Sequence, residues 1–257
     1  MLKLFKPKPS PLLGIDVSSS AVKILELSIN GDQICVENYR REPLPANVVE
    51  GSLIKDIPAL ASCIRKLCGG SSLKNKKVAV AVPDSSVIFK TVAINDGLND
   101  DEIEELVVME ADKFIPYPID EINLDFEVQG PSAKNSAMLD VLIVASKAEH
   151  VSSRVEAVVQ AGLEPRVVDV ESLTVERAVQ QMAKNMPELV NYKILAIIDI
   201  GENYTHLFVL DAMHLIFVRE EKFGGMQLIN AIAEHYSMTP EQARTAKDQG
   251  TLPADYE

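Results

Sequence analysis

Cysteine is scarce in these 257 residues: only Cys35, Cys63 and Cys68 occur. Three thiols make no disulfide framework, and their spacing matches no zinc site. Cys63 and Cys68 fall in an apolar helical pattern, which fits a reducing cytosol. The four histidines (His150, His206, His214, His235) show no ligand spacing and read as structural. Apolar runs are short as well, and none reaches the roughly 18 residues a membrane-crossing helix needs. Basic residues are in deficit, with 25 Lys and Arg against 38 Asp and Glu and a formal charge of −13. Such a balance argues against nucleic acid as the main partner. The start of the chain, Met1-Leu2-Lys3-Leu4-Phe5-Lys6-Pro7-Lys8-Pro9, departs from it by being basic and apolar. It lacks the long apolar stretch of a signal peptide. It reads either as a disordered leader broken by Pro7, Pro9 and Pro11 or as a weak contact with anionic lipid or a membrane partner.

What is present is enough apolar residue, 47% with a mean hydropathy of +0.06, to fold into two domains or one elaborate one. The strongest local signal is a pair of acidic bends far apart in the chain. One runs Leu13-Gly14-Ile15-Asp16-Val17-Ser18-Ser19-Ser20-Ala21-Val22-Lys23; the other is Ala196-Ile197-Ile198-Asp199-Ile200-Gly201-Glu202-Asn203-Tyr204-Thr205-His206-Leu207. Each is an apolar strand, an Asp, a tight polar turn and a returning strand. A single such bend is ordinary turn chemistry. Two together can hold a polyphosphate, with turn N–H groups cradling oxygens and Asp16 and Asp199 holding a hydrated Mg²⁺, which keeps several waters and takes few protein ligands.

The periodicity predicts strands at 12–17, 22–29 and 34–40, with a turn at Asn30-Gly31-Asp32, then a helix near 56–67 closed by Gly69-Gly70, and a β-branched strand at 77–82. Residues 84–165 read as a unit of their own in the order strand, helix, strand, strand, helix. Ser146 with Glu149 is the expected capping box of its second helix, and Gly162 the stop. A strand at 166–170, a helix at 171–186 and strands at 194–199, 206–210 and 215–221 follow. Gly224-Gly225 opens a helix to about Tyr236. Thr239-Pro240-Glu241-Gln242 is a capping box with Pro at the first helical position. Two similar halves emerge, each beginning with a hairpin that carries an Asp bend.

These bends resemble those of the actin-like ATPase superfamily, in which Asp16 and Asp199 match the two phosphate-loop aspartates and Lys23 the phosphate-contacting lysine. A narrower resemblance, over nearly the whole chain, is to the PilM family of type IV pilus assembly proteins, and more distantly to FtsA. It is carried by residues 14–23, by Lys113-Phe114-Ile115-Pro116-Tyr117-Pro118-Ile119-Asp120-Glu121-Ile122-Asn123-Leu124-Asp125, by Val168-Asp169-Val170-Glu171, by Asp199-Ile200-Gly201, by Arg219-Glu220-Glu221-Lys222-Phe223-Gly224-Gly225, and by Glu241-Gln242-Ala243-Arg244-Thr245-Ala246-Lys247. The resemblance implies an α/β chain with an actin-like (ribonuclease H-like) duplicated core, an inserted FtsA-type α+β subdomain and a shortened C-terminal part. The expected organisation is a leader at 1–11, a first core subdomain at 12–83 and 166–196, the insert at 84–165, a partial second core subdomain at 197–223 and a partial last one at 224–257.

The resemblance also implies cofactors, partners and roles. ATP and Mg²⁺ would be bound by Asp16, Ser18, Ser19, Ser20, Lys23, Asp199, Gly201, Asn203, Thr205, Gly224, Gly225 and Lys247. Serines in place of the usual loop glycines narrow the approach to phosphate, and Arg244 stands where relatives place a ribose-side Glu. Glu171 is either the carboxylate that orients water for γ-phosphate attack or an acid favoured by a helix N-terminus. Weak or no ATPase activity is expected. The implied partner is the N-terminal cytoplasmic peptide of the inner-membrane protein PilN, held between the insert and the first core subdomain. PilO, PilP and the secretin PilQ would follow indirectly. The location would be cytoplasmic, peripheral to the inner membrane, and self-association stays open. An FtsA-like filament-forming tether and a small-molecule kinase of the same superfamily are the alternative readings.

Overall fold

Strand β1 (Leu13–Val17) opens a meander with β2 (Ala21–Asn30) and β3 (Gln33–Pro43), each antiparallel to the last. The computed structural model describes residues 12–31, 33–69, 73 and 75–252. The expected leader at 1–11, Asp32 of the first turn and Gly70 of the helix stop lie outside them. The chain falls into two bodies divided after Glu171.

In the first body a two-residue ribbon, β4 (Val49–Glu50) with β5 (Leu53–Ile54), leads into α1 (Ile57–Cys68). Asp56 caps α1 by accepting from the Ala59 N–H at 2.9 Å. Leu60, Ile64 and Leu67 recur at helical spacing and are all buried. Strand β6 (Lys77–Val82) alternates strictly, burying Val78, Val80 and Val82, and pairs in parallel with β1. The chain then leaves the sheet to build a separate module of β7 (Val87–Asn95), α2 (Asp100–Ala111), β8 (Ile122–Pro131) and β9 (Met138–Lys147). Its three strands lie in the order β7-β9-β8, with Val107, Val141 and Ile143 fully buried between sheet and helix. α3 (Ala148–Gln160) and β10 (Glu164–Val170) return to the first sheet, whose order is β10-β6-β1-β2-β3. Gly162, at φ +83°, turns the chain out of α3.

Two expectations change here. The sequence pattern places α3 in the insert, but Ala157, Val158 and Ala161 pack with Leu13, Ile24, Leu60 and Val78 in the core of the five-stranded sheet. The separate module therefore closes at Lys147. The Ser146–Glu149 capping box does not form either. Ser146 still belongs to β9, and its hydroxyl donates to the Ser86 carbonyl at 3.0 Å; the residue before α3 is Lys147, with no side-chain cap. The capping box of this module is at α2, where Asn99 and Glu102 bond each other's backbone N–H groups at 2.9 and 3.0 Å.

The second body contains α4 (Glu171–Ala183), which begins at the division, and a second meander of β11 (Ile194–Ile200), β12 (Thr205–Asp211) and β13 (His214–Glu221). Val175 and Val179 of α4 cover Phe208 and Leu210. β11 pairs with β12 along its whole length, so this sheet starts at Ile194 rather than at the expected 197. α5 (Gly225–His235) and α6 (Pro240–Gln249) pack through Ile229, Ile232 and Ala243. The capping box of α6 forms as its sequence predicts, with Thr239 and Gln242 bonding each other's N–H groups.

The duplication is visible in the register. Val17 faces Val22 and Ile200 faces Thr205, so each turn holds four residues, 18–21 and 201–204. Asp16 and Asp199 occupy the same penultimate place in their strands, opposite Lys23 and His206.

Candidate functional site

In the first body the strand ends bring carboxylates together. β1, β6 and β10 run parallel, and Asp169 is registered with Ala81 of β6. Ile15 faces Val80, so Asp16 stands at the level of Ala81 on the other side. Ile15, Val80 and Val168 face the core, and strand alternation therefore puts Asp16 and Asp169 on the opposite face. They are two strand spacings apart, about 9–10 Å. This is the carboxyl end of the parallel strands, where ligands of α/β sheets bind. Lys23 joins them, its Nζ 2.8 Å from Asp16 Oδ2. Glu171 follows directly at the first position of α4.

The serine turn is largely occupied with itself. The Ser18 N–H and hydroxyl both donate to the Ala21 carbonyl at 3.0 Å, and the Ala21 N–H donates back to the hydroxyl at 3.3 Å. The Ser20 carbonyl accepts from the Leu44 N–H at 2.9 Å. Ser18 is thus a turn-closing residue.

In the second body, Asp199 is exposed at its strand end. Beyond it the 201–204 turn, closed by the Gly201 N–H on the Tyr204 carbonyl at 2.9 Å, is tied down from three sides. The Gly225 and Met226 N–H groups at the start of α5 donate to the Gly201 and Glu202 carbonyls at 2.9 and 2.8 Å. The Thr205 hydroxyl donates to the Phe223 carbonyl at 2.7 Å. Arg244 of α6 pairs with Glu202 at 2.5 Å. Of the two glycines expected to let a helix approach a nucleotide, Gly224 is the one that lets it approach the chain's own turn: a Cβ there would stand 2.6 Å from both the Gly201 and the Glu202 carbonyl oxygen. The Arg at the expected Glu position has a partner of its own, and Lys247 is paired with its neighbour Asp248 at 2.6 Å. Asn203 completes this turn.

The sequence reading missed a cavity of about 170 Å³ where the inserted module joins the first sheet. It lies at the two crossings of the chain between the sheets, Ser85–Val87 and Ser146–Lys147. Its walls are Val87 and Ile88 of β7, Ile115 and Tyr117 from the loop after α2, Ile122 of β8, Ala145 of β9 and His150 of α3. Small-molecule sites run to about 300–1,000 Å³. This one is smaller, closer to the volume of a single side chain. Tyr117 stands 39% exposed at its edge with Lys147 Nζ 4.1 Å from the ring centroid. Part of the Lys113–Asp125 stretch singled out in the sequence builds this wall, so the motif was visible although the cavity was not.

Behind the cavity, α3 carries two buried polar groups. Arg154, 2% exposed, donates to the Ala81 carbonyl at 2.8 Å, the His150 carbonyl at 2.9 Å and the Ser52 carbonyl at 3.4 Å. Burial lowers its pKa, with Glu171 opposing. Burial also holds His150 below its usual range, against the bond its Nδ1 makes to the Ser52 carbonyl and with Arg154, Glu149 and Lys147 nearby. His150 is therefore neutral in the fold at a pH where the unfolded chain protonates it. Its contribution to stability is complete above about 6.5 and is lost as pH falls below that value. Urea unfolding across this range should show a shallower loss of stability for His150→Asn than for the parent chain. Equal slopes would contradict the assignment.

Cys63 and Cys68 lie on α1, and burial raises the pKa of both thiols. Among the described residues no cluster of His, Cys, Asp and Glu could hold a metal by itself, and no helix is long and apolar enough to cross a membrane.

Comparison with known proteins bears on the family and the fold. A family model described as type IV pilus assembly protein PilM matches residues 14–257. The chain is similar to one from a PilM–PilN type IV pilus biogenesis complex, with a TM-score of 0.75 at 25% identity over 93% of this chain and 69% of that one. It is also similar to the ethanolamine utilization protein EutJ from Carboxydothermus hydrogenoformans, with a TM-score of 0.54 at 16% identity over 95% of this chain and 63% of the other.

Proposed function

The chain belongs to the type IV pilus assembly protein PilM family and has an actin-like fold, and from that premise we propose that it is an adaptor that docks the N-terminal cytoplasmic peptide of PilN in the cavity between the inserted module and the first sheet. The observation that carries this reading is the cavity itself: side-chain-sized, of mixed apolar and polar lining, and bordered by β7, an edge strand of its sheet. An extended peptide can add its backbone to such an edge and place a side chain in the pocket. In this reading the protein works at the cytoplasmic face of the inner membrane, joined through PilN to PilO, PilP and PilQ.

Mg·ATP is the proposed ligand of the strand-end carboxylates. Asp16 and Asp199 are the donors that suit a hydrated Mg²⁺, and Lys23 suits phosphate as a point charge. In each body the turn hydroxyl, Ser18 in the first and Thr205 in the second, is committed to the fold. In this reading the nucleotide is held more than turned over, and Glu171 is the carboxylate that would orient water if turnover occurs.

Asp16→Ala separates the two roles. The Asp16–Lys23 pair is exposed, and removing it should cost less than about 1 kcal/mol of stability. Nucleotide binding in the presence of Mg²⁺, followed with a fluorescent ATP analogue, should be lost, while PilN peptide binding without nucleotide should persist. Unchanged nucleotide affinity would overturn the assignment of Asp16.

A further inference from the structure

The chain's negative charge is concentrated in the module that forms the cavity. Residues 87–147 contain 13 Asp and Glu against four Lys and no Arg, a net −9 of the chain's −13. The remaining residues are nearly balanced. Close to the cavity the same sign prevails. Asp120 and Glu121 immediately precede the lining residue Ile122, Glu149 immediately precedes His150, and all three carboxylates are exposed. The lining cation, Lys147, is stacked on Tyr117. α2 presents Asp100, Asp101, Glu104 and Glu105 to solvent on the same module, and Asp112 just after it is exposed as well.

Isolated surface carboxylates mean little. Clustered ones around a partly apolar recess repel an acidic polypeptide and attract a basic one, raising its encounter rate and fixing which partners are refused. Resting on the docking reading, we propose that the cavity selects a segment with an apolar anchor flanked by lysine or arginine. The anchor fills the space among Ile88, Ile115, Tyr117 and Ile122, and the flanking cations meet Asp120, Glu121 and Glu149. An acidic or uncharged segment with the same anchor enters but is held less well.

The test uses the full chain, the PilN N-terminal peptide and a second peptide in which every Lys and Arg is replaced by Gln. Raising salt from about 0.05 M to about 0.5 M should weaken the native peptide about tenfold and the Gln peptide less than about twofold. The double variant Asp120→Lys with Glu121→Lys, on exposed positions that leave the fold intact by circular dichroism, should weaken the native peptide about tenfold and leave the Gln peptide within about twofold. Equal affinities of the two peptides, or a native affinity indifferent to both salt and charge reversal, would overturn the proposal while leaving docking in place. Failure of both peptides to bind the parent chain would overturn docking itself.

Discussion

Tyr117→Ala is expected to weaken PilN peptide binding by about 30-fold or more, the loss typical of an aromatic residue at the centre of a small interface. The ring forms one wall of the cavity and holds Lys147 against its face. Removing it opens the pocket to solvent and frees an ammonium beside an apolar anchor. Because Tyr117 is already 39% exposed, its loss should cost the fold little. Tyr117→Phe keeps the wall and the stacked cation and should bind within about threefold of the parent. Isothermal titration of both variants decides the matter. An alanine variant that binds as the parent does would place the peptide elsewhere.

Gly224→Ala should destabilise the second body by about 2–3 kcal/mol, at the upper end of overpacking costs. The backbone at Gly224 is extended, so conformation is not the obstacle. The added carbon would stand 2.6 Å from two backbone carbonyl oxygens. Relief requires α5 to withdraw from the 201–204 turn, breaking the Gly225 and Met226 hydrogen bonds. Gly225→Ala provides the contrast. Its nearest neighbour would be 3.8 Å away, and at the first position of a helix alanine should be neutral or slightly stabilising. Urea unfolding of the two variants should separate them clearly, and equal midpoints would show that the close approach of helix and turn does not matter.

The strands and both Asp bends could be read from the sequence because they are local. Val78, Val80 and Val82 alternate without interruption, and Asp16 and Asp199 are each flanked by apolar runs and turn residues. The α6 cap was legible for the same reason, since Thr239 and Gln242 are three residues apart. The Asn99–Glu102 box has the same three-residue spacing. What could not be read was which surface an apolar helix face meets. The periodicity of α3 shows that Ala157 and Val158 are buried, but only the fold shows that they lie on the first sheet and not on the insert. Ser146 illustrates the same limit, because a strand of unknown length can absorb a plausible cap.

The site divides along the same line. Asp16, Lys23 and Asp199 follow from spacing within a hairpin. The placement of Asp169 on the same face as Asp16 depends on parallel pairing through β6, which no local pattern encodes. Gly224 was recognised as a position of close approach, but its neighbour proves to be the chain's own turn. Arg244, read as a departure from its relatives, is matched by Glu202 in a loop 42 residues away. The cavity draws on five separate stretches of sequence, and only the Lys113–Asp125 block announced itself.

The measurement that tests the central claim most directly is amide hydrogen exchange of the chain with and without saturating PilN peptide. Docking in the cavity predicts new protection confined to residues 85–88, 115–122 and 145–150, with β11–β13 unchanged. Saturating binding with no protection in those three segments, or protection confined to the second body, would contradict it.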